Sequence, residues 1–156
     1  MSDQVKILVL EDDDLDQFII RRGFRMRRIA NPLIFVKDGF EALAVLERLS
    51  REDGCAFSVV ILSDINMPRM NGFEFIRTIK GIERFRRIPV FVLTSSENQL
   101  DIDRAYEVGA AGYMLKQNAG DAFVDAVAML GMWIKVSLMP GPGGEGIEGA
   151  KEEAGG

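Results

Sequence analysis

Hydrophobic residues alternate between two patterns along the chain. Short and nearly continuous apolar runs, which predict strands, lie at residues 5–10, 32–37, 57–62, 88–94 and 111–116. Between these runs, apolar residues recur every three or four positions, as on one face of an amphipathic helix. This second pattern predicts five helices, the first beginning near Leu15 and the others spanning 38–49, 71–80, 98–108 and 119–137.

Five successive strand–helix pairs indicate an α/β fold. The runs at 5–10, 57–62 and 88–94 lack alternating polar residues, as expected for parallel strands with helices on both faces. Repeated βα units with right-handed crossovers predict a doubly wound parallel sheet. Ligands bind such sheets beyond the carboxyl ends of the strands, so the residues that follow each strand are the candidates for a functional site.

The composition changes after Leu138. Residues 139–156 contain many glycines, few apolar residues and no periodicity, which predicts a disordered tail. The length of 156 residues fits one domain, over residues 1–138. The sequence therefore predicts a single-domain protein without a DNA-binding output domain.

Charge and composition exclude several classes of function. The net charge of −5 argues against broad binding to nucleic acids or to membrane surfaces. The sequence contains neither a signal peptide nor a membrane-spanning apolar run, and Cys55 is the only cysteine, so we expect a cytoplasmic protein. Histidine is absent, which excludes Ser-His-Asp triads and histidine zinc sites.

Polar residues of complementary chemistry follow four of the predicted strands. Glu11 and Asp12 follow the first, Asp64 the third, Thr94 ends the fourth, and Lys116 ends the fifth. Two carboxylates roughly 4 Å apart repel each other by about 4 kcal/mol at an effective dielectric constant near 20. Mg²⁺ relieves such repulsion and prefers oxygen ligands, so this edge of the sheet is a candidate magnesium site.

This set of groups is suited to phosphoryl transfer. Asp64 can attack a phosphoryl group as a carboxylate nucleophile, and Lys116 and Mg²⁺ neutralise the phosphoryl oxygens while Thr94 donates a hydrogen bond. Each residue also has a purely structural interpretation. Asp64 can stabilise the following turn, and Asp13 or Asp14 can cap the first helix.

Four sequence motifs resemble the receiver domain of two-component response regulators. They are "ILVLEDD", "ILSDINMPRMNG", "PVFVLTSS" and "GAAGYMLK", and in this order they cover about residues 4–137. The resemblance implies a flavodoxin-like fold with strand order 2-1-3-4-5, an order that the chemotaxis receiver exemplifies. It also implies a response regulator that accepts a phosphoryl group from a histidine kinase and switches a surface for a downstream protein. Such a chain is a signalling domain rather than an enzyme, although it supplies groups for its own phosphorylation and dephosphorylation.

The resemblance also implies a role for each site residue. Asp64 is the expected phosphoacceptor, and Asp12 and Asp64 are expected to bind Mg²⁺ directly. Glu11 is expected to act through water, and Asn66 to contribute its backbone carbonyl. Thr94 and Lys116 match the remaining residues of the family's site, and Tyr113 matches the aromatic residue that reorients with the threonine.

Shorter segments resemble the stand-alone receivers that partner phytochromes. These segments are "IANP", "DGFEAL" and "MWIKVSLMPGP". They imply a phytochrome-type kinase as partner and a homodimer formed through the last strand, the last helix and the C-terminal segment. Arginines on the first helix favour either a solvated face or a docking surface for the kinase.

Two positions depart from the family pattern. Gln117 stands where the family usually has a proline with a cis bond, and a cis bond before a non-proline residue costs about 3 kcal/mol. We therefore expect a trans bond or a more mobile loop there. Glu11 stands where the family usually has an aspartate, and its carboxylate still suits a metal.

Two other functions remain open at this point. The first is a Mg²⁺-dependent phosphohydrolase with an aspartyl-phosphate intermediate, but such enzymes usually carry a second acid where this chain has Asn66. The second is a binding module that works without phosphorylation. The combination of acids with Thr94 and Lys116 argues against that module.

Overall fold

Strands and helices alternate strictly along the chain. The computed structural model describes residues 5–53, 58–116 and 121–136. The strands are β1 (Lys6–Leu10), β2 (Leu33–Val36), β3 (Val59–Ser63), β4 (Val90–Thr94) and β5 (Gly112–Leu115). The helices are α1 (Asp14–Met26), α2 (Gly39–Asp53), α3 (Gly72–Lys80), α4 (Gln99–Val108) and α5 (Asp121–Val136). Each predicted element is present in the described residues, with ends that differ from the predicted ones by a few residues.

The five strands form one parallel sheet in the order β2-β1-β3-β4-β5. At its centre, Leu8 of β1 pairs with Ile34 of β2 on one side and with Ile61 of β3 on the other. The chain therefore proceeds from β1 to one side through β2 and to the other through β3. This reversal is the switch point near which doubly wound sheets bind ligands, and the predicted flavodoxin-like fold is confirmed.

Hydrophobic cores cover both faces of the sheet. Successive side chains of a strand point to opposite faces, so Ile7 of β1 joins one core and Leu8 joins the other. The first core contains Phe24 of α1 and Leu130 of α5, and the second contains residues of α2 and α3 such as Leu46. Because both faces are covered, every residue of β3 and β4 is buried.

Capping residues visible in the sequence mark the start or the end of several helices. The side chain of Asp13 accepts a hydrogen bond from the amide of Asp16 at 2.9 Å and caps α1. Asn71 and Glu74 form a capping box at the start of α3. Gly109 ends α4 with φ of 110°, a conformation that side chains disfavour. The prediction that Asp13 or Asp14 caps the first helix is confirmed for Asp13.

Part of α5 packs inward against the sheet. The rings of Trp133 and Phe91 meet edge to face, with their centroids 5.1 Å apart, and Ile134 is buried. Met129 and Met132 are exposed on the same helix. Across the described ranges, no helix is both long enough and apolar enough to cross a membrane. The predictions for Gln117, and for residues 139–156 as a disordered tail, lie outside the described residues.

Candidate functional site

Four parallel strands end at one edge of the sheet and bring the predicted residues to it. Glu11 directly follows β1, Asp64 follows β3, Lys116 follows β5, and Thr94 is the last residue of β4. Backbone pairing continues beyond the strands. The Asp64 amide donates to the Leu10 carbonyl at 3.0 Å, and the Lys116 amide donates to the Thr94 carbonyl at 2.8 Å. The parallel register therefore fixes the positions from which these side chains extend.

Three carboxylates form a compact cluster at this edge. Glu11, Asp12 and Asp64 each offer an oxygen, and these oxygens lie within 4.8 Å of one another. Glu11 and Asp64 are buried, whereas Asp12 is exposed, so the cluster has an inner wall and an open side. An all-oxygen donor set with an open side fits Mg²⁺, which binds few protein oxygens and keeps several waters.

The ammonium group of Lys116 joins the acids into one network. Its Nζ donates to Asp64 Oδ2 and to Asp16 Oδ2, each at 2.9 Å, and it also pairs with Glu11 Oε2. Burial alone lowers the pKa of Lys116, but hydrogen bonds to Glu11 and Asp64 outweigh burial and raise it. Lys116 is therefore a permanent cation that offsets part of the repulsion among the carboxylates.

Glu11 is the most deeply buried acid of the network, with 2% of its surface exposed. Burial raises the pKa of Glu11 to about 7, and this effect exceeds the lowering caused by Lys116. The charge of Asp64 contributes to this rise in pKa, while a hydrogen bond from the Asp13 amide to Glu11 Oε1, 3.1 Å long, opposes it. When no metal ion is bound, Glu11 therefore takes a proton at a higher pH than an ordinary glutamate does.

The two carboxylate oxygens of Asp64 have different partners. Oδ2 accepts from Lys116, whereas Oδ1 accepts from the Ile65 amide at 2.6 Å and from the Asn66 amide at 3.5 Å. The loop then closes on itself, because the Gly72 amide donates to the Ile65 carbonyl at 2.8 Å. A side chain at position 72 would collide with the Asp64 carbonyl, so glycine is required there.

A second network begins at Thr94 and leads away from the acids. Thr94 is fully buried, and its hydroxyl accepts from the Ser96 amide at 3.3 Å. The Ser96 carbonyl accepts from the Tyr113 hydroxyl at 2.8 Å, and the Ser96 hydroxyl donates to Asp101 of α4 at 2.7 Å. Burial, together with the negative charges of Asp101 and Asp64, raises the pKa of Tyr113. Thr94, Tyr113 and α4 are therefore connected through Ser96.

One residue of the network was missed in the sequence. Asp16 accepts a hydrogen bond from Lys116, although its position suggested only an ordinary acid in the first turn of a helix. Its partner Lys116 is 100 positions away in the chain, so no local sequence pattern signals this contact. Glu11, Asp64, Thr94 and Lys116 lie at the strand ends, whereas Asn66 and Tyr113, which only the resemblance suggested, lie in the loop after β3 and in β5.

The sequence matches the model of the response regulator receiver domain family over residues 7–128. The chain belongs to this family. Receiver domains are signalling domains that histidine kinases phosphorylate and that bind Mg²⁺ or Mn²⁺ at an acidic pocket. The acidic cluster at the carboxyl ends of β1 and β3 corresponds to such a pocket.

Several receivers are similar over nearly their whole length. Response regulator Rcp1 of Synechocystis sp. is 30% identical over 135 residues, which cover 86% of this chain and 92% of Rcp1. The crystal structure of the Mn²⁺-bound form of Rcp1 matches with a TM-score of 0.74 and 28% identity, over 87% of this chain and 99% of that one.

Two further crystal structures match the receiver fold. A response regulator receiver domain from Rhodospirillum rubrum gives a TM-score of 0.79 at 30% identity, over 90% of this chain and all of the other. The phosphorylated cyanobacterial phytochrome response regulator RcpA gives 0.76 at 27% identity, over 88% of this chain and 99% of RcpA. This receiver therefore resembles the phytochrome-associated response regulators.

Proposed function

We propose that this receiver is a phosphorylation switch in which Asp64 accepts a phosphoryl group from a histidine kinase. The observation that carries the proposal is the position of the Asp64 carboxylate. It lies in the three-acid cluster, and Lys116 Nζ is 2.9 Å from its Oδ2. Phosphoryl transfer requires a nucleophile that lies beside a fixed ammonium group and beside carboxylates able to bind a metal ion.

The transfer itself exchanges one bond to phosphorus for another. A carboxylate oxygen of Asp64 forms a bond to the phosphorus of the kinase's phosphohistidine while the phosphorus–nitrogen bond breaks. The imidazole leaves with the electron pair of that bond and takes a proton from solvent. Lys116 stabilises negative charge on the phosphoryl oxygens, and the Thr94 hydroxyl donates to one of them.

Mg²⁺ is the cofactor that we assign to the pocket. Asp12 and Asp64 would bind it directly, with Glu11 acting through water and Asn66 through its backbone carbonyl. When bound, the ion supplies charge neutralisation for the carboxylates and for the incoming phosphoryl group. The all-oxygen character of the cluster and the open side at Asp12 support this assignment.

The readout of phosphorylation is a protein-interaction surface. When the Thr94 hydroxyl turns toward the phosphoryl group, it gives up the hydrogen bond from the Ser96 amide. Because Ser96 also contacts Tyr113 and Asp101, that change biases the positions of Tyr113 and α4. The switch therefore shifts an equilibrium between two arrangements, of which a downstream protein binds one.

The exposed face of α1 is our candidate surface for the kinase. Phe18, Arg21, Arg22, Arg25 and Met26 line a groove of about 300 Å³ on this helix. Phe18 and Met26 are more than half exposed, which gives the basic face an apolar component that a purely solvated face lacks. The resemblance to RcpA and Rcp1 supports a phytochrome-type kinase as the partner in the cytoplasm.

A homodimer through β5, α5 and the C-terminal segment is also part of the proposal. The exposed fractions of Met129 and Met132 on α5 are 45% and 61%, which supports a partner on this helix. Sedimentation equilibrium of the receiver, with and without acetyl phosphate, measures both the dimer and its dependence on phosphorylation. A monomer at all concentrations under both conditions would remove this part of the proposal.

Intact mass spectrometry tests the central claim. The receiver and its Asp64→Asn variant are incubated with acetyl phosphate and Mg²⁺, and we expect one added phosphoryl group only when Asp64 is present. Sustained release of inorganic phosphate from small phosphate esters would instead favour the phosphohydrolase. If the receiver neither takes up a phosphoryl group nor binds Mg²⁺, the result would favour the binding module that works without phosphorylation.

A further inference from the structure

An ion pair ties together two loops beside the proposed site. Asp38 lies between β2 and α2 and is only 4% exposed, while Arg69 lies in the loop between β3 and α3. Arg69 Nε donates to Asp38 Oδ2 at 2.9 Å, and Arg69 Nη2 donates to the same oxygen. The guanidinium also lies over the ring of Phe40, 5.5 Å from its centroid. We call this set of contacts the Arg69 tether.

The tether holds a strained turn in the β3–α3 loop. The Met70 amide donates to the Pro68 carbonyl at 2.7 Å, which closes a three-residue turn around Arg69. Arg69 has φ of 64°, one of two positive values among the non-glycine residues described. A turn of this kind with positive φ at its central residue is a rare and strained γ-turn. Such a conformation persists only where surrounding contacts hold it.

The anchor of the tether is fixed independently of Arg69. Asp38 Oδ1 accepts a hydrogen bond from the Glu41 amide at 2.9 Å, so the first turn of α2 orients the carboxylate. The two loops are also packed closely, because a Cβ added to Gly39 would lie 2.5 Å from the sulfur of Met70. Arg69 therefore binds a rigid partner rather than another mobile side chain.

We propose that Arg69 is a positioning residue, which holds the β3–α3 loop against Asp38 and thereby fixes the Asn66 carbonyl beside Asp64. This inference rests on the proposed metal-dependent function of Asp64. Arg69 lies three residues after Asn66 and five after Asp64, in a loop closed at its base by the hydrogen bond between Ile65 and Gly72. If the turn at Arg69 were released, the segment between Asp64 and Arg69 would relax, and the Asn66 carbonyl would lose its defined position.

Simple electrostatics and the tether predict different changes in Mg²⁺ affinity when Arg69 is substituted. Removal of the Arg69 charge makes the neighbourhood of the pocket more negative, which by itself favours Mg²⁺ binding. Removal of the Asp38 charge has the opposite electrostatic effect. If the tether positions the loop, both substitutions weaken Mg²⁺ binding, and the double variant is no weaker than the more affected single one.

A matched pair of arginines makes the experiment specific. Arg84 pairs with Glu47 and lies over the ring of Phe85, 4.9 Å from its centroid, so its contacts repeat those of Arg69 away from the site. Arg69→Gln and Arg84→Gln remove the same charge, and Arg69→Gly removes the tether while relieving the backbone strain. Asp38→Asn and the double variant Asp38→Asn/Arg69→Gln complete the set.

Two measurements are made on these full-length proteins. Isothermal titration calorimetry gives the dissociation constant for Mg²⁺, and hydrogen–deuterium exchange of the metal-free proteins gives the protection of residues 65–71. We expect Arg69→Gln, Arg69→Gly and Asp38→Asn to weaken Mg²⁺ binding about 10-fold, as loss of a residue that orients a ligand commonly does. We also expect faster exchange in the loop, and no change in either quantity for Arg84→Gln.

The outcomes separate this inference from the proposed function. Unchanged or tighter Mg²⁺ binding in Arg69→Gln and Arg69→Gly, with loop exchange equal to that of Arg84→Gln, overturns the tether. Additive losses in the double variant also overturn it. If the unsubstituted receiver does not bind Mg²⁺, the proposed function fails, and exchange in the metal-free proteins still decides whether Arg69 holds the loop.

Discussion

Two charged regions of this receiver differ in what surrounds them. At the strand ends, Lys116 is one-tenth exposed on its side chain and contacts three carboxylates. On α1, by contrast, Arg22 and Arg25 extend into solvent. Water and salt screen the charges on α1, whereas the buried network is screened much less. A cation at the strand ends therefore contributes to stability, whereas the cations on α1 remain available for a partner.

The largest effect that we predict follows removal of the central cation. Lys116→Met leaves Glu11 and Asp64 buried without their ammonium partner, and breaking a buried pair typically costs about 3–5 kcal/mol of unfolding free energy. Urea unfolding at pH 8 in a buffer with a metal chelator measures this loss. Lys135→Met on the exposed face of α5 is the control, with an expected change within about 0.5 kcal/mol. Equal losses in the two variants would remove the distinction between the regions.

The next effect is a dependence of stability on pH that arises from Glu11. Burial raises the pKa of Glu11 from 4.5 to about 7. The stability that Glu11 contributes to the folded state is therefore fully present below pH 4.5 and is lost as the pH rises through 7. Relative to Glu11→Gln, the metal-free receiver should lose about 3 kcal/mol of unfolding free energy between pH 4 and pH 8. Denaturant titrations of both proteins at several pH values measure the difference.

Mg²⁺ provides the internal check on that result. A bound cation favours the ionised carboxylate, so saturating Mg²⁺ should remove most of the difference between the two proteins at pH 8. Parallel pH profiles for Glu11→Gln and the unsubstituted receiver without Mg²⁺ would show that Glu11 ionises without penalty. The buried region would then behave like the exposed one.

A smaller effect is expected at the half-exposed Arg69 tether. Burial raises the pKa of Asp38, but the Glu41 amide and Arg69 outweigh burial and lower it below its ordinary value. Its contribution is therefore present above the ordinary pKa of 3.8 and is lost as the pH falls through the lowered value. Because the side chain of Arg69 is 61% exposed, we expect Asp38→Asn to cost only about 1 kcal/mol at pH 7.

Acid unfolding monitored by circular dichroism tests this intermediate case. The difference between Asp38→Asn and the unsubstituted receiver should be constant near neutral pH and should shrink below pH 3.8. A difference that grows on acidification would mean that the carboxylate of Asp38 is destabilising in the folded state.

The smallest effect is predicted on α1. Arg22→Gln and Arg25→Gln should each change the unfolding free energy by no more than about 0.5 kcal/mol, because both side chains are exposed. Thermal unfolding in low and high salt measures this. A loss above about 1 kcal/mol in either variant would place that arginine in a structural network and would weaken its assignment to the kinase surface.

The sequence was a good guide wherever a local pattern reported the structure. The buried apolar run before Asp64 predicts its place at a sheet edge, and the preference of helix starts for acids predicts that Asp13 or Asp14 caps α1. Their neighbours across the site were harder to infer. The hydrogen bond between Asp16 and Lys116 joins residues 100 positions apart, and no local pattern reports such a contact.

The Arg69 tether shows the same limit within a loop. The letters "NMPRMNG" predict a turn, but they do not reveal that its central residue has positive φ. That conformation depends on a carboxylate 31 residues away, which is brought near only when β1 and β2 pair beside β3. Strain in a turn is therefore a property of the assembled sheet rather than of the segment that contains it.

By itself, the sequence determined the alternation of strands and helices, the parallel arrangement and the chemistry at the strand ends. It did so because hydrophobic periodicity is local and because parallel strands share one carboxyl edge. The strand order followed only from resemblance to receivers, since periodicity does not specify which strands are neighbours. Only the tertiary structure decided that Lys116 is shared among three acids, that Glu11 is the most buried of them and that Arg69 reaches Asp38. Burial and long-range pairing set these features, and both arise only when the helices close over the sheet.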